Sequence, residues 1–230
     1  MGHDAVSWAR SGLVDMIIAG GWYQSADGDV PIENWKGSLI GTDVTVAYGV
    51  EQALDSGGSG LRSMSPDEMR GIFTSAWYRG ADAVYLFNMF TTPYHNWPRE
   101  THNAVVRDAG SWAALRTGPR RHALTIISPW MPGESNADRL LPYTGTRGIF
   151  RIHSGPKPGT EQRAQIELVT DNYDEPPEVR LNGVVCSFVG VTDHRHSYSV
   201  PPEASDEGYN LIEVSAKTNV KLTWVEVSVQ

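Results

Sequence analysis

Residues 43–51 read DVTVAYGVE, in which Val44, Val46 and Tyr48 alternate with Thr45 and Ala47 and charge is confined to the two ends. A β-branched and aromatic run of this kind predicts a strand buried on both faces of a parallel sheet, with a carboxylate at its C-terminal end. Short apolar runs at 13–19 and 81–87 predict two more such strands. Helical spacing fills the intervals. Ala5, Val6, Trp8 and Ala9 precede a glycine stop at Gly12, and Ile32, Trp35, Leu39 and Ile40 mark a helix over 31–40. The best-marked helix has Ser65 as N-cap, Pro66 at the first helical position, Glu68 three residues after the cap, and a stripe of Met69, Ile72, Phe73, Ala76 and Trp77. A last one, over about 100–115, places Val105, Val106, Ala109, Trp112 and Ala113 on one side. The strands begin roughly 30 to 40 residues apart, the spacing of βα repeats.

Beyond TGPRRH the period changes to two. Alternating runs at 123–128, 149–153, 164–169, 179–181, 184–189, 211–216 and 220–229, separated by Gly, Pro, Asn and Asp clusters, predict an antiparallel β-sandwich. Over 221–229, Thr223, Val225, Val227 and Val229 share one face, expected to point inward, and Leu222, Trp224, Glu226 and Ser228 share the other. The expected fold class is therefore α/β plus all-β. A partial (β/α)8 barrel of about three βα units would occupy 1–118, because a closed one needs about 250 residues. An accessory sandwich, jelly-roll or immunoglobulin-like, would occupy 119–230.

Composition narrows the chemistry. At 230 residues and 40% hydrophobic content the chain can hold two cores. A formal net charge of −8, with Arg120, Arg121 and His122 as the only short basic cluster, argues against a nucleic-acid partner and for a neutral or sugar-like ligand. The single cysteine, Cys186, excludes an intramolecular disulfide, and no His or Cys group has zinc-ligand spacing. Asp171, Asn172, Asp174 and Glu175 are close together but match no calcium-loop pattern, so neither a metal nor a cofactor is expected. There is no apolar run of membrane-spanning length, and MGHDAVSWAR lacks the basic and apolar regions of a signal peptide. Compartment and oligomeric state are left open.

Open and closed α/β sheets carry their chemistry at the C-terminal ends of the strands, which makes Glu51 the candidate catalytic residue. Trp22, Tyr23, Tyr48, Phe90, Tyr94 and Trp97 fall at or just past predicted strand ends, where flat rings can stack on sugar faces, and Asn88 and His95 can bond hydroxyls. Each of these rings could equally serve packing. Asp27, Asp29 and Glu33 follow the first strand and are the candidates for a second carboxyl group.

The order of a helix and strand reading RSGLVDMII, a strand ending AYGVE, the stretch SPDEMRGIFTSAWYRGADAVYLFNMF and then a sandwich resembles the C-terminal part of glycoside-hydrolase-like barrels, most of all the family 10-like hypothetical glycosyl hydrolases. The resemblance covers about residues 1–118. It implies hydrolysis of glycosidic bonds, with the nucleophilic glutamate ending strand seven. If 81–87 is strand eight, that residue is Glu51. The acid/base glutamate of such barrels ends strand four, which would lie upstream of this chain. The alternative expectation is a non-catalytic carbohydrate-binding or structural protein with a small open sheet.

Overall fold

The computed structural model describes residues 4–20, 26, 28–55, 61–89, 97–125, 140–171 and 175–230. Helix α1 (Ala5–Arg10) leads to strand β1 (Met16–Gly20), and α2 (Ile32–Ser38) leads to β2 (Thr45–Glu51). A short hairpin, β3 (Ala53–Asp55) with β4 (Leu61–Ser63), comes next. It is followed by α3 (Pro66–Tyr78) and β5 (Ala83–Phe87). Strands β1, β2 and β5 are parallel neighbours in sequential order. Asp82 fixes the register: it accepts from the Val46 N–H at 2.8 Å and from Lys36 Nζ at 2.7 Å, while its own N–H donates to the Val46 carbonyl.

Helix α3 starts as its sequence dictates. Ser65 Oγ accepts from the Glu68 N–H, and the Glu68 carboxylate accepts from the Ser65 N–H at 2.6 Å and from both guanidinium ends of Arg62. The helix predicted over about 100–115 is two, α4 (Arg99–Ala109) and α5 (Trp112–Thr117). The break falls at Gly110, and Ser111 caps the second piece through the Ala114 N–H.

The remaining strands are antiparallel. They are β6 (Arg120–Leu124), β7 (Tyr143–His153), β8 (Ala164–Asp171), β9 (Glu178–Leu181), β10 (Val184–Val185), β11 (Ser187–Thr192), β12 (Arg195–Ser199) and the 21-residue β13 (Tyr209–Val229). They make one eight-stranded sheet organised on β13. The first part of β13 lies between β7 and β9, and its last part lies between β8 and β6. A register shift between Ser215 and Val220 lets the strand bend where its partners change.

The expected partial (β/α)8 barrel is overturned. Of the described residues 44% are in strands and 24% in helices, and only three strands are parallel. The spacing of strand and helix that suggested a barrel is local and is shared by any open α/β sheet. Closure depends on where the next strand goes, and β6 goes antiparallel to β13 in the other sheet. The antiparallel strands expected to form a sandwich are hydrogen-bonded into one long sheet through β13.

The inward valine face is as read at Val225 and Val227, which lie in the core of the antiparallel sheet with Ile166, Leu168 and Ile212, but Leu222, expected on the opposite face, joins the same core across the register shift between Leu222 and Trp224. The opposite face is buried as well. Trp224 and Glu226 keep 2% and 0% of their surface, and Trp224 belongs to the α/β core that also holds Ile72, Phe73 and Met69. Helix α3 thus runs between the two sheets. Its approach to β6 is so close that a Cβ on Gly71 would stand 1.9 Å from the Arg121 carbonyl oxygen, which leaves room for glycine alone.

Candidate functional site at the strand ends

Residue parity along β2 separates two roles. Val46, Tyr48 and Val50 enter the α/β core, whereas Glu51 shares the opposite face with Ala47 and Gly49. Tyr48 is 2% exposed, so its ring packs against the core instead of offering a face to a ligand. Glu51 is half-buried at the C-terminal end of β2 and pairs in register with Phe87, the last residue of β5. Asn88 follows at once, exposed, with a φ of 50°. That left-handed turn ends the strand and is tolerated by asparagine better than by most residues. Trp97 is half-buried against the edge of the same core.

The residue after Glu51 went unnoticed in the sequence. Gln52 is 1% exposed, and among the described residues neither its amide nitrogen nor its amide oxygen has a hydrogen-bond partner. A buried amide left unsatisfied is uncommon and calls for an ordered water or a ligand group. The available signal was a polar side chain directly following a strand-end acid. Trp22, Tyr23, Asp27, Phe90, Tyr94 and His95 lie outside the described residues. Of the sequence candidates, then, Glu51 and Asn88 stand side by side at the strand ends, Trp97 borders the core beneath, and Tyr48 lies inside it.

Asp29 and Glu33, the candidates for a second carboxyl group, are occupied elsewhere. Arg79, whose side chain is 3% exposed, donates to Asp29 Oδ1 at 2.6 Å and to both Glu33 oxygens at 2.6 and 2.8 Å. Arg151 and Tyr209 also donate to Asp29, each at 2.6 Å. Burial opposes ionisation of Asp29, but the hydrogen bonds from Tyr209, Arg79 and Arg151 outweigh it and hold the carboxyl below its ordinary range. The bonds from Arg79 do the same for Glu33. Both groups are anions tied into a joint between α3 and the antiparallel sheet, so neither is suited to deliver a proton.

A second constellation imitates a nucleophile and base without serving as one. Ser75 Oγ lies 3.3 Å from His122 Nδ1 and donates to the His153 carbonyl at 3.0 Å. Ser75 is fully buried, and the adjoining cavity, lined among others by His122 and His153, holds about 10 Å³. That is room for one water at most. Burial, together with Arg120 and His153, pushes the His122 imidazole well below its ordinary pKa, and burial with Arg79 brings His153 down to about 4. Both imidazoles are neutral parts of the joint.

Among the described residues no group of three or more His, Cys, Asp or Glu side chains could hold a metal. Asp171 is paired with Lys221 and Glu175 with Lys217, while Asn172 and Asp174 fall outside the described residues. Cys186 is a buried free thiol that burial raises to about 11. No described helix is long and apolar enough to cross a membrane.

No protein family and no curated protein matches the chain, so the family 10-like resemblance has no support from either comparison. Among solved structures, BuGH86 in complex with neoagarooctaose aligns over 48% of this chain and 18% of its own, at 13% identity and a TM-score of 0.31. The Thermotoga maritima α-fucosidase aligns over 86% of this chain and 42% of its own, at 15% identity and a TM-score of 0.23. The chain thus spans less than half the length of the structures it resembles. Both likenesses are too weak to carry an argument, and the site stands on its own residues.

Proposed function

We propose that the protein is carbohydrate-active and that its sugar site is the C-terminal rim of the parallel sheet, with Glu51 as the nucleophilic carboxylate. The carrying observation is the register that sets Glu51 beside Phe87 and Asn88 at two adjacent strand ends. Parallel strands place their chemistry there because the loops that follow are free to shape a ligand site while the strands hold its base. Gln52 deepens this reading, since its buried amide needs a polar partner close to the Glu51 backbone. Trp97 supplies flat apolar surface for a sugar face.

Hydrolysis with retention needs a second carboxyl group about 5 to 5.5 Å from the nucleophile, to protonate the departing oxygen. Asp29 and Glu33 are committed to Arg79, so neither supplies that group. The commitment of those two acids also favours a second reading, in which the rim binds sugar without cleaving it. Titration with neutral oligosaccharides, followed by backbone amide shifts, tests what the two readings share. Shifts should cluster at Glu51, Gln52, Asn88 and Trp97, and Glu51→Gln should keep most of the affinity because the amide preserves shape. Shifts centred on Asp29, Arg79 and Tyr209, or none at all, would move the site away from the rim.

A further inference from the structure

The antiparallel sheet holds a cleft of about 400 Å³, within the size range of small-ligand sites, between the loop entering β8 and the turn leaving β12. Its rim carries Lys157, Thr160 and Arg163 on one side and Ser199 on the other, over a floor that includes Val200 and Ser205. Three features set it apart. No acidic side chain lines it, although the chain as a whole carries a formal charge of −8. Lys157 and Arg163 have no carboxylate partner among the described residues, where ten of the eighteen Lys and Arg side chains do. Ser205, only 5% exposed, lines the cleft with its hydroxyl-bearing side chain.

The walls are also fixed in advance. The Gln162 side chain accepts from the Gly159 N–H at 3.0 Å and donates to the Thr117 carbonyl at 3.1 Å, which fastens the cationic loop to the end of α5. The opposite wall is set by the Val200 N–H bonded to the Ala164 carbonyl and by the 3₁₀ turn Pro202–Ala204. A preformed cleft loses little on binding to the ordering of its own loops.

We infer that this cleft binds a monosaccharide-sized ligand bearing an oxyanion, either a uronate carboxylate or a sugar sulfate ester. The anion sits between Lys157 and Arg163, and the sugar hydroxyls meet Thr160, Ser199 and Ser205. A planar guanidinium beside a mobile ammonium suits an oxyanion of either geometry. The ligand class rests on the carbohydrate reading of the protein. The cleft shares no residue with the strand-end rim, so either site can fail alone.

The test is a backbone amide titration of the intact chain with D-glucuronate, glucose 6-sulfate, D-glucose and inorganic sulfate in parallel. Saturable shifts are expected at Gly159, Thr160, Arg163 and Ser205 with at least one of the two charged sugars. The preferred one identifies the oxyanion. Affinity should fall at least about fivefold on raising salt to about 0.5 M, because both cations are exposed. The double variant Lys157→Gln, Arg163→Gln should lose about tenfold or more with an unchanged melting temperature, and Ser205→Ala should weaken binding by a smaller factor. The inference is overturned by an absence of saturable shifts with both charged sugars, by equal shifts with glucose, by equal affinity for inorganic sulfate, or by a double variant that binds as the native chain does. Loss of the strand-end site in the same titrations, with this cleft intact, would count against the rim alone.

Discussion

On one face of the parallel sheet Val46, Tyr48 and Val50 keep 0, 2 and 3% of their surface, whereas on the other Met16, Ile18 and Tyr85 keep 46, 46 and 43%. The first face is covered by the helices and through α3 is joined to the antiparallel sheet. The second is open along β1 and β5, closed at Ala47, and ends at Glu51. Parallel strands are ordinarily covered on both faces, so the contrast shows where stability is concentrated. The seam and the helix-covered face hold the molecule together, while the open face and its rim can change at little thermodynamic cost.

That contrast is broken most severely at the seam. Gly71→Val places side-chain atoms where the Arg121 carbonyl already stands, so α3 must move off β6 and the loss should reach about 5 kcal/mol. Chemical denaturation measures it. A change below about 1 kcal/mol would mean that helix and strand separate freely. On the covered face, Tyr48→Ala should cost about 4 kcal/mol, as large-to-small aromatic changes in packed cores do.

Acidity probes the same seam. His153 has a folded-state pKa depressed to about 4, below the value of about 6.5 expected in the unfolded chain, so the unfolded state binds the proton more readily. Stability from this group is therefore complete above about pH 6.5, declines as pH falls, and is exhausted near pH 4, a loss of about 3 kcal/mol. The deeper depression at His122 adds to the loss in the same direction. Asp29 and Glu33, held below their ordinary range, lose their contribution only at lower pH. The slope of unfolding free energy between pH 6.5 and 4 should flatten in His153→Phe. An unchanged slope would place the acid sensitivity elsewhere. The smallest effect belongs to the open face, where Ile18→Ser should change stability by no more than about 0.5 kcal/mol.

What the sequence disclosed was local. The three parallel strands, the Ser65–Glu68 capping box and the inward valine face of β13 follow from patterns within a few residues of one another. What it concealed was long-range. Arg79 meets Asp29 across 50 residues and Glu33 across 46, and no period in the chain announces either pairing. β12 went unread because RHSYS has no apolar run, yet His196 and Tyr198 are buried in it. The runs at 211–216 and 220–229 read as two strands. In the fold they are one bulged strand that changes partners. At the rim, the strand-end position of Glu51 was legible, and the burial of Gln52 beside it was not.

The central claim is that Glu51 is a nucleophile, and a covalent trap addresses it directly. A 2-deoxy-2-fluoro glycoside with a dinitrophenolate leaving group departs without acid assistance, so a glycosyl ester can form on the nucleophile even where the second carboxyl group is missing. Incubated with a panel of such reagents and followed by intact mass and peptide mapping, the chain should gain one glycosyl unit on Glu51, and Glu51→Gln should gain none. An unmodified chain across the panel, or an adduct on Asp29, Glu33 or any carboxylate other than Glu51, would contradict the account.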